Sequence, residues 1–63
     1  MELDVSLEVL QKLDPRAEQV VTLRYFAGLT EAETAETLGV SIASIKRDWD
    51  FARTWLLREL GNG

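Results

Sequence analysis

The sequence has no cysteine and no histidine. Their absence excludes a disulfide scaffold, a thiolate metal site, the commonest zinc ligand and the commonest general base. No phosphate-cradling glycine loop replaces them, so the chain is not expected to be an enzyme and no cofactor is implied. No apolar run exceeds four residues, which leaves no transmembrane helix and no signal peptide. Cations are the minority, with 7 Lys and Arg against 11 Asp and Glu and a net charge of −4. A strongly basic nucleic-acid domain is therefore excluded, although a local basic stripe is not. What remains is a 63-residue chain that is 46% hydrophobic, enough for one small domain with a marginal core.

The charge is unevenly placed. Residues 1–40 carry three basic and eight acidic groups, whereas residues 41–63 carry Lys46, Arg47, Arg53 and Arg58 against three carboxylates. A polyanion would meet the C-terminal third.

Helix punctuation is regular. Asp14-Pro15 reads as a cap followed by a first-turn proline. Gly28 and Gly39 read as left-handed helix stops. Thr30-Glu31-Ala32-Glu33 has the form of a capping box, Ser41 is placed to cap a further helix, and residues 61–63 read as a frayed tail. The spacing predicts helices over 5–13, 15–27, 31–38 and about 42–60, with no window of period two. Leu3, Leu7, Leu10 and Leu13 are spaced for one core face, and Ala17, Val20, Val21 and Leu23 for another. At 100° per residue, Ile42, Ile45, Trp49, Ala52, Leu56 and Leu60 form the core stripe of the last helix. Opposite it lie Ala43, Ser44, Arg47, Asp50, Phe51, Thr54 and Arg58. Trp55 falls on a flank, where it either covers the join between the first and fourth helices or belongs to an exposed apolar patch that contacts a protein. Trp49 is expected to be buried.

A short capped helix, a glycine turn and a longer helix with a polar outer face make a helix-turn-helix at about 31–50. Ala35, Gly39 and Ile45 are the fifth, ninth and fifteenth residues of that segment. The small Ala lets the helices touch, Gly takes the positive φ, and the branched side chain anchors the second helix. The expected architecture is an all-α, four-helix domain spanning residues 1–63. A helical hairpin without DNA function would share this spacing.

The segments Leu13-Asp14-Pro15-Arg16, Val20 through Thr30 (VVTLRYFAGLT), Ala35 through Ser41 (AETLGVS), Ile45-Lys46-Arg47-Asp48-Trp49 and Ala52-Arg53 closely resemble region 4 of bacterial sigma-70-type factors, and most of all the extracytoplasmic-function group. The resemblance runs from about residue 7 to 60. It implies a cytoplasmic domain that binds the −35 element of double-stranded promoter DNA while docked on core RNA polymerase, with an anti-sigma factor as a further partner and no membrane. The family's region 2 has no room here, so the chain is expected to be an excised domain or a truncated relative.

The resemblance and the helix angle together select Ala43, Ser44, Lys46, Arg47, Asp50 and Phe51 as the DNA-reading group. Arg47 is suited to fork onto guanine, Asp50 to accept from cytosine N4, and Phe51 to pack on a thymine methyl or sugar. The plainer reading makes Lys46, Arg47 and Asp50 a solvated face with pairs three and four residues apart. Arg24, Thr30 and Ser41 are expected to hold phosphates, the latter two at helix starts where free amides meet an anion; capping alone also accounts for Thr30 and Ser41. Glu31 and Glu33 resemble a catalytic carboxylate pair but are explained by the capping box.

The sequence departs from the family at Thr34, expected to loosen the third helix, at Asp48 in place of a basic residue, at Trp49 in the core stripe, and at Asp50 on the DNA face. A response-regulator-type helix-turn-helix and a protein-interaction module of the same fold are the alternatives. The former usually lacks the long last helix with its Ala-Arg pair. The latter suits the negative charge and the exposed aromatics.

Overall fold

The computed structural model describes residues 2–61. Four α-helices follow in order: α1 (Leu3–Leu13), α2 (Pro15–Val21), α3 (Glu31–Leu38) and α4 (Ile42–Gly61), with a π-helical turn at Thr22–Phe26 continuing α2. No strand occurs among the described residues.

Local chemistry sets most of the boundaries. Asp14 caps α2 by accepting the Ala17 amide at 3.2 Å, and Pro15 occupies the first turn, where its missing N–H costs nothing. Thr30 and Glu33 complete the expected capping box of α3. At its other end Gly39 takes φ 69°, and the Val40 amide reaches back to the Ala35 carbonyl at 3.1 Å. This is the glycine-terminated bond that satisfies the last helical carbonyls. Ser41 caps α4 by accepting the Ser44 amide at 3.1 Å.

The core has two parts joined by Trp49. Leu10, Ala17, Val21, Ala52 and Leu56 unite α1, α2 and α4, with Leu3, Leu7 and Trp55 packed at their edge. Val20, Ala35 and Ile45 unite α2, α3 and α4, so the small residue and the branched residue of the helix-turn-helix meet as their spacing requires. Trp55 is partly buried against the first part of the core.

Several expectations change. The second helix does not run regularly to Ala27. From Thr22 its bonds span five residues, as in Ala27 N–H to the Thr22 carbonyl at 3.1 Å, before Gly28 ends it at φ 74°. α1 begins at Leu3, two residues earlier than expected. On α1, Leu13 is 60% exposed, and Ser6 fills the core-facing position with its hydroxyl buried and unpartnered. On α4, Ile42 and Leu60 are exposed. At about 1.5 Å per residue, this 20-residue helix outruns the 7-residue α2 and 8-residue α3, and both of its ends keep an apolar side chain in solvent. Trp49 is half-buried rather than buried, as is Trp55. Thr34 does not loosen α3: it is fully buried and its hydroxyl donates to the Thr30 carbonyl at 2.8 Å. Gly61 is the last residue of α4, and the rest of the expected frayed tail lies outside the described residues.

Candidate nucleic-acid interface

α3, the Gly39 turn and α4 form the helix-turn-helix, with α4 the longer second helix. Contact of Ala35 with Ile45 presses the inner side of α4 onto α3, so the opposite side faces outward. Ala43, Arg47, Asp50 and Phe51 are exposed there and Ser44 is half-buried, with Lys46 exposed at the border of that face toward Trp49. Phe51 keeps 44% of its surface open.

The start of α4 is open to an anion. Its first turn has no acidic residue, and Ser41 occupies the Ser44 amide while its own hydroxyl donates to Ser44 Oγ at 3.0 Å. The amides of Ile42 and Ala43 precede the first intrahelical bond of the ladder. The start of α3 is different. There the Thr30 amide donates to Glu33 Oε1 at 2.9 Å and the Glu33 amide to Thr30 Oγ1 at 3.1 Å. The Thr30 amide, and secondarily its hydroxyl, holds the Glu33 carboxyl below the usual glutamate range. Two first-turn carboxylates, Glu31 and Glu33, already complement the helix dipole, so Thr30 offers an incoming phosphate its hydroxyl hydrogen alone.

The cations are unneutralised. Among the described residues, Arg16–Asp48 is the one ion pair within 4 Å. Lys46 and Arg47 thus make no pair with Asp50 or any other carboxylate, contrary to the plainer reading of that face. Arg24 turns onto Trp49, with its guanidinium carbon 5.1 Å from the ring centroid and its Nε buried without a hydrogen-bond partner.

Sequence reasoning missed the role of Asp48. It is buried, not displayed, and accepts from Arg16 Nε at 2.6 Å and from Nη2 at 3.4 Å. That side-on fork raises the Arg16 pKa, the hydrogen bond contributing more than the charge, and it ties α2 to α4 across 32 residues of sequence. The signal was faint: Asp48 lies next to the apolar stripe, and Arg16 lies in the first turn of another helix.

A family model described as ECF sigma factor matches residues 1–62. The chain belongs to the ECF sigma factor family. Comparison with curated proteins and with solved structures gives no match. ECF sigma factors act in transcription initiation with RNA polymerase and are not a family of enzymes, and an all-α helix-turn-helix fits that membership. The match favours this reading over the response-regulator-type domain. No helix among the described residues is long and apolar enough to cross a membrane, and no cluster of three or more potential metal ligands occurs among them.

A second surface lies away from the α4 outer face. Tyr25, Phe26, Trp49, Arg53, Leu57 and Leu60 line an apolar cleft of about 350 Å³ between the π-helical turn and the end of α4. The Tyr25 and Phe26 rings meet edge-to-face at 5.1 Å, yet remain 68% and 55% exposed.

Proposed function

We propose that this chain is the domain of an ECF sigma factor that reads the −35 promoter element, with α4 as the helix that enters the major groove. The observation that carries this reading is the outer face of α4, exposed, with Arg47 on it and Lys46 at its border, neither with a carboxylate partner, on a helix-turn-helix of this family. In a major groove that admits one helix, Arg47 forks onto guanine O6 and N7, and Asp50 accepts from cytosine N4. Phe51 packs on a thymine methyl or sugar, with Ala43 and Ser44 close to the base edges. Ser41 and the start of α4 hold one phosphate; Thr30, Lys46 and Arg24 contact others.

The acidic balance makes the free chain a weak binder. Few cations are available for phosphates, and carboxylates crowd the first forty residues, so affinity on the order of micromolar or poorer is expected at physiological salt. Docking on core RNA polymerase supplies the rest through effective concentration. The exposed apolar side chains Tyr25, Phe26, Leu57 and Leu60, on the rim of the apolar cleft away from Trp49 and Arg53, are the surface offered to polymerase, or to an anti-sigma factor that competes for it.

That cleft also favours a second reading, a protein-interaction module that does not touch DNA. Duplexes selected from a random pool by the immobilised chain at low salt separate the two. Amide shifts on adding a selected duplex should concentrate on residues 41–51. No enrichment from the pool, or shifts confined to Tyr25, Phe26 and Leu57, would favour the interaction module.

A further inference from the structure

Trp49 is larger than its place requires. It bridges both parts of the core yet stays half-exposed, and its ring face is occupied by Arg24, whose guanidinium carbon lies 5.1 Å from the centroid. A cation over an indole is held by the ring quadrupole, most strongly over tryptophan. Arg24 has no carboxylate within 4 Å and its Nε is sealed without a partner, so the charge is positioned but not neutralised. A long side chain with that much rotamer freedom would otherwise sample many positions.

Two further cations share this edge. Lys46 is three residues before Trp49 and Arg53 four after it, spacings that place all three on one side of a helix. Both are exposed, and neither has a carboxylate within 4 Å. Arg24 reaches the Trp49 ring from a different element, the π-helical turn.

We propose that Trp49 is a positioning residue for DNA binding: its ring holds Arg24 so that the guanidinium meets a phosphate beside the groove that α4 enters, on the Trp49 edge that Lys46 and Arg53 also border. This rests on the reading of the chain as a promoter-binding domain and adds to it a division of labour. The outer face of α4 meets bases, and the Trp49 edge meets backbone. Arg24 arrives with its side-chain freedom already spent, which matters most in a chain that has few cations.

The salt dependence of binding to a mixed-sequence DNA duplex tests the proposal, because each phosphate contact adds about 0.9 to the slope of log affinity against log salt. Arg24→Ala and Trp49→Leu should each lower the slope by about that amount, and the double variant should lose no more than either alone. Trp49→Phe, which keeps an aromatic face and most of the packing, should fall between wild type and Trp49→Leu. It carries the comparison if the leucine variant melts too low to use. If Arg24→Ala lowers the slope while folded Trp49→Leu or Trp49→Phe keeps the wild-type slope, the positioning role is overturned and Arg24 acts without Trp49. If Arg24→Ala leaves the slope unchanged, Arg24 contacts no phosphate and the proposal falls with it. If wild type shows no measurable duplex binding at low salt, the promoter-binding reading itself fails.

Discussion

Arg16, in the first turn of α2, reaches Asp48 on α4 with Nε 2.6 Å from Oδ2, across 32 residues of sequence. The two partners are unequal: the Arg16 side chain keeps 41% of its surface in water, and Asp48 keeps 8%. Removing Arg16 strands a carboxylate that has no other partner, whereas removing the carboxylate leaves a guanidinium that water can solvate. Arg16→Ala should therefore destabilise the domain more than Asp48→Asn, and the double variant should recover part of the loss. Urea melts of the four proteins check this. Equal, additive losses would mean that the pair does not hold α4 against α2.

Ser6 is the weak point of the α1 packing. Its hydroxyl is fully buried with no partner, and the cost of such a group is not returned by any bond. Ser6→Ala removes it with little change in volume and improves helix propensity. A stabilisation of about 1 kcal/mol is expected, read as a higher urea midpoint at unchanged m. A destabilised variant would show that the hydroxyl finds a partner in solution.

The capping box gives α3 a defined acid sensitivity. The Thr30 amide and hydroxyl hold the Glu33 pKa below its ordinary value of 4.5. A lowered folded-state pKa means that ionised Glu33 stabilises the fold above that value, and that the contribution disappears as pH falls through the lowered one. Thermal melts from neutral pH downward should show wild type and Glu33→Gln converging at the acid end, with wild type more stable at neutral pH. A constant gap between them would place the effect in packing rather than in the charge.

What could be read in the sequence depended on how far apart the determinants lie. The bounds of α3 followed from Thr30, Glu33 and Gly39, which sit within a turn of what they control. The Ala35–Ile45 contact followed from helix-turn-helix spacing, and the outer face of α4 from angle alone. The Arg16–Asp48 pair and the stacking of Arg24 on Trp49 join different helices, and no local pattern announces either. The π-helical turn at Thr22–Phe26 has no glycine or proline to mark it, so Arg24 was placed by resemblance and not by geometry. Periodicity named Ile42, Leu60 and Leu13 as core because it assumes full cover along the whole helix, and at these helix ends the side chains stay exposed.

Tethering should matter more than contact chemistry for affinity. The free chain should bind its selected duplex with affinity on the order of micromolar or weaker at physiological salt, and much more tightly when docked on core polymerase. Fluorescence anisotropy of a labelled duplex, with and without polymerase, measures both. Tight specific binding by the free chain would point to an autonomous regulator.

If α4 reads bases with its outer face, Arg47 makes the most specific of its contacts. Competition binding of wild type and Arg47→Ala against every single-base variant of the selected duplex tests it most directly. The expected result is a loss of about 1–3 kcal/mol on the selected sequence, together with lost discrimination at one guanine and unchanged discrimination elsewhere. A loss that is the same for every duplex would make Arg47 a phosphate contact and contradict base reading by this face of α4.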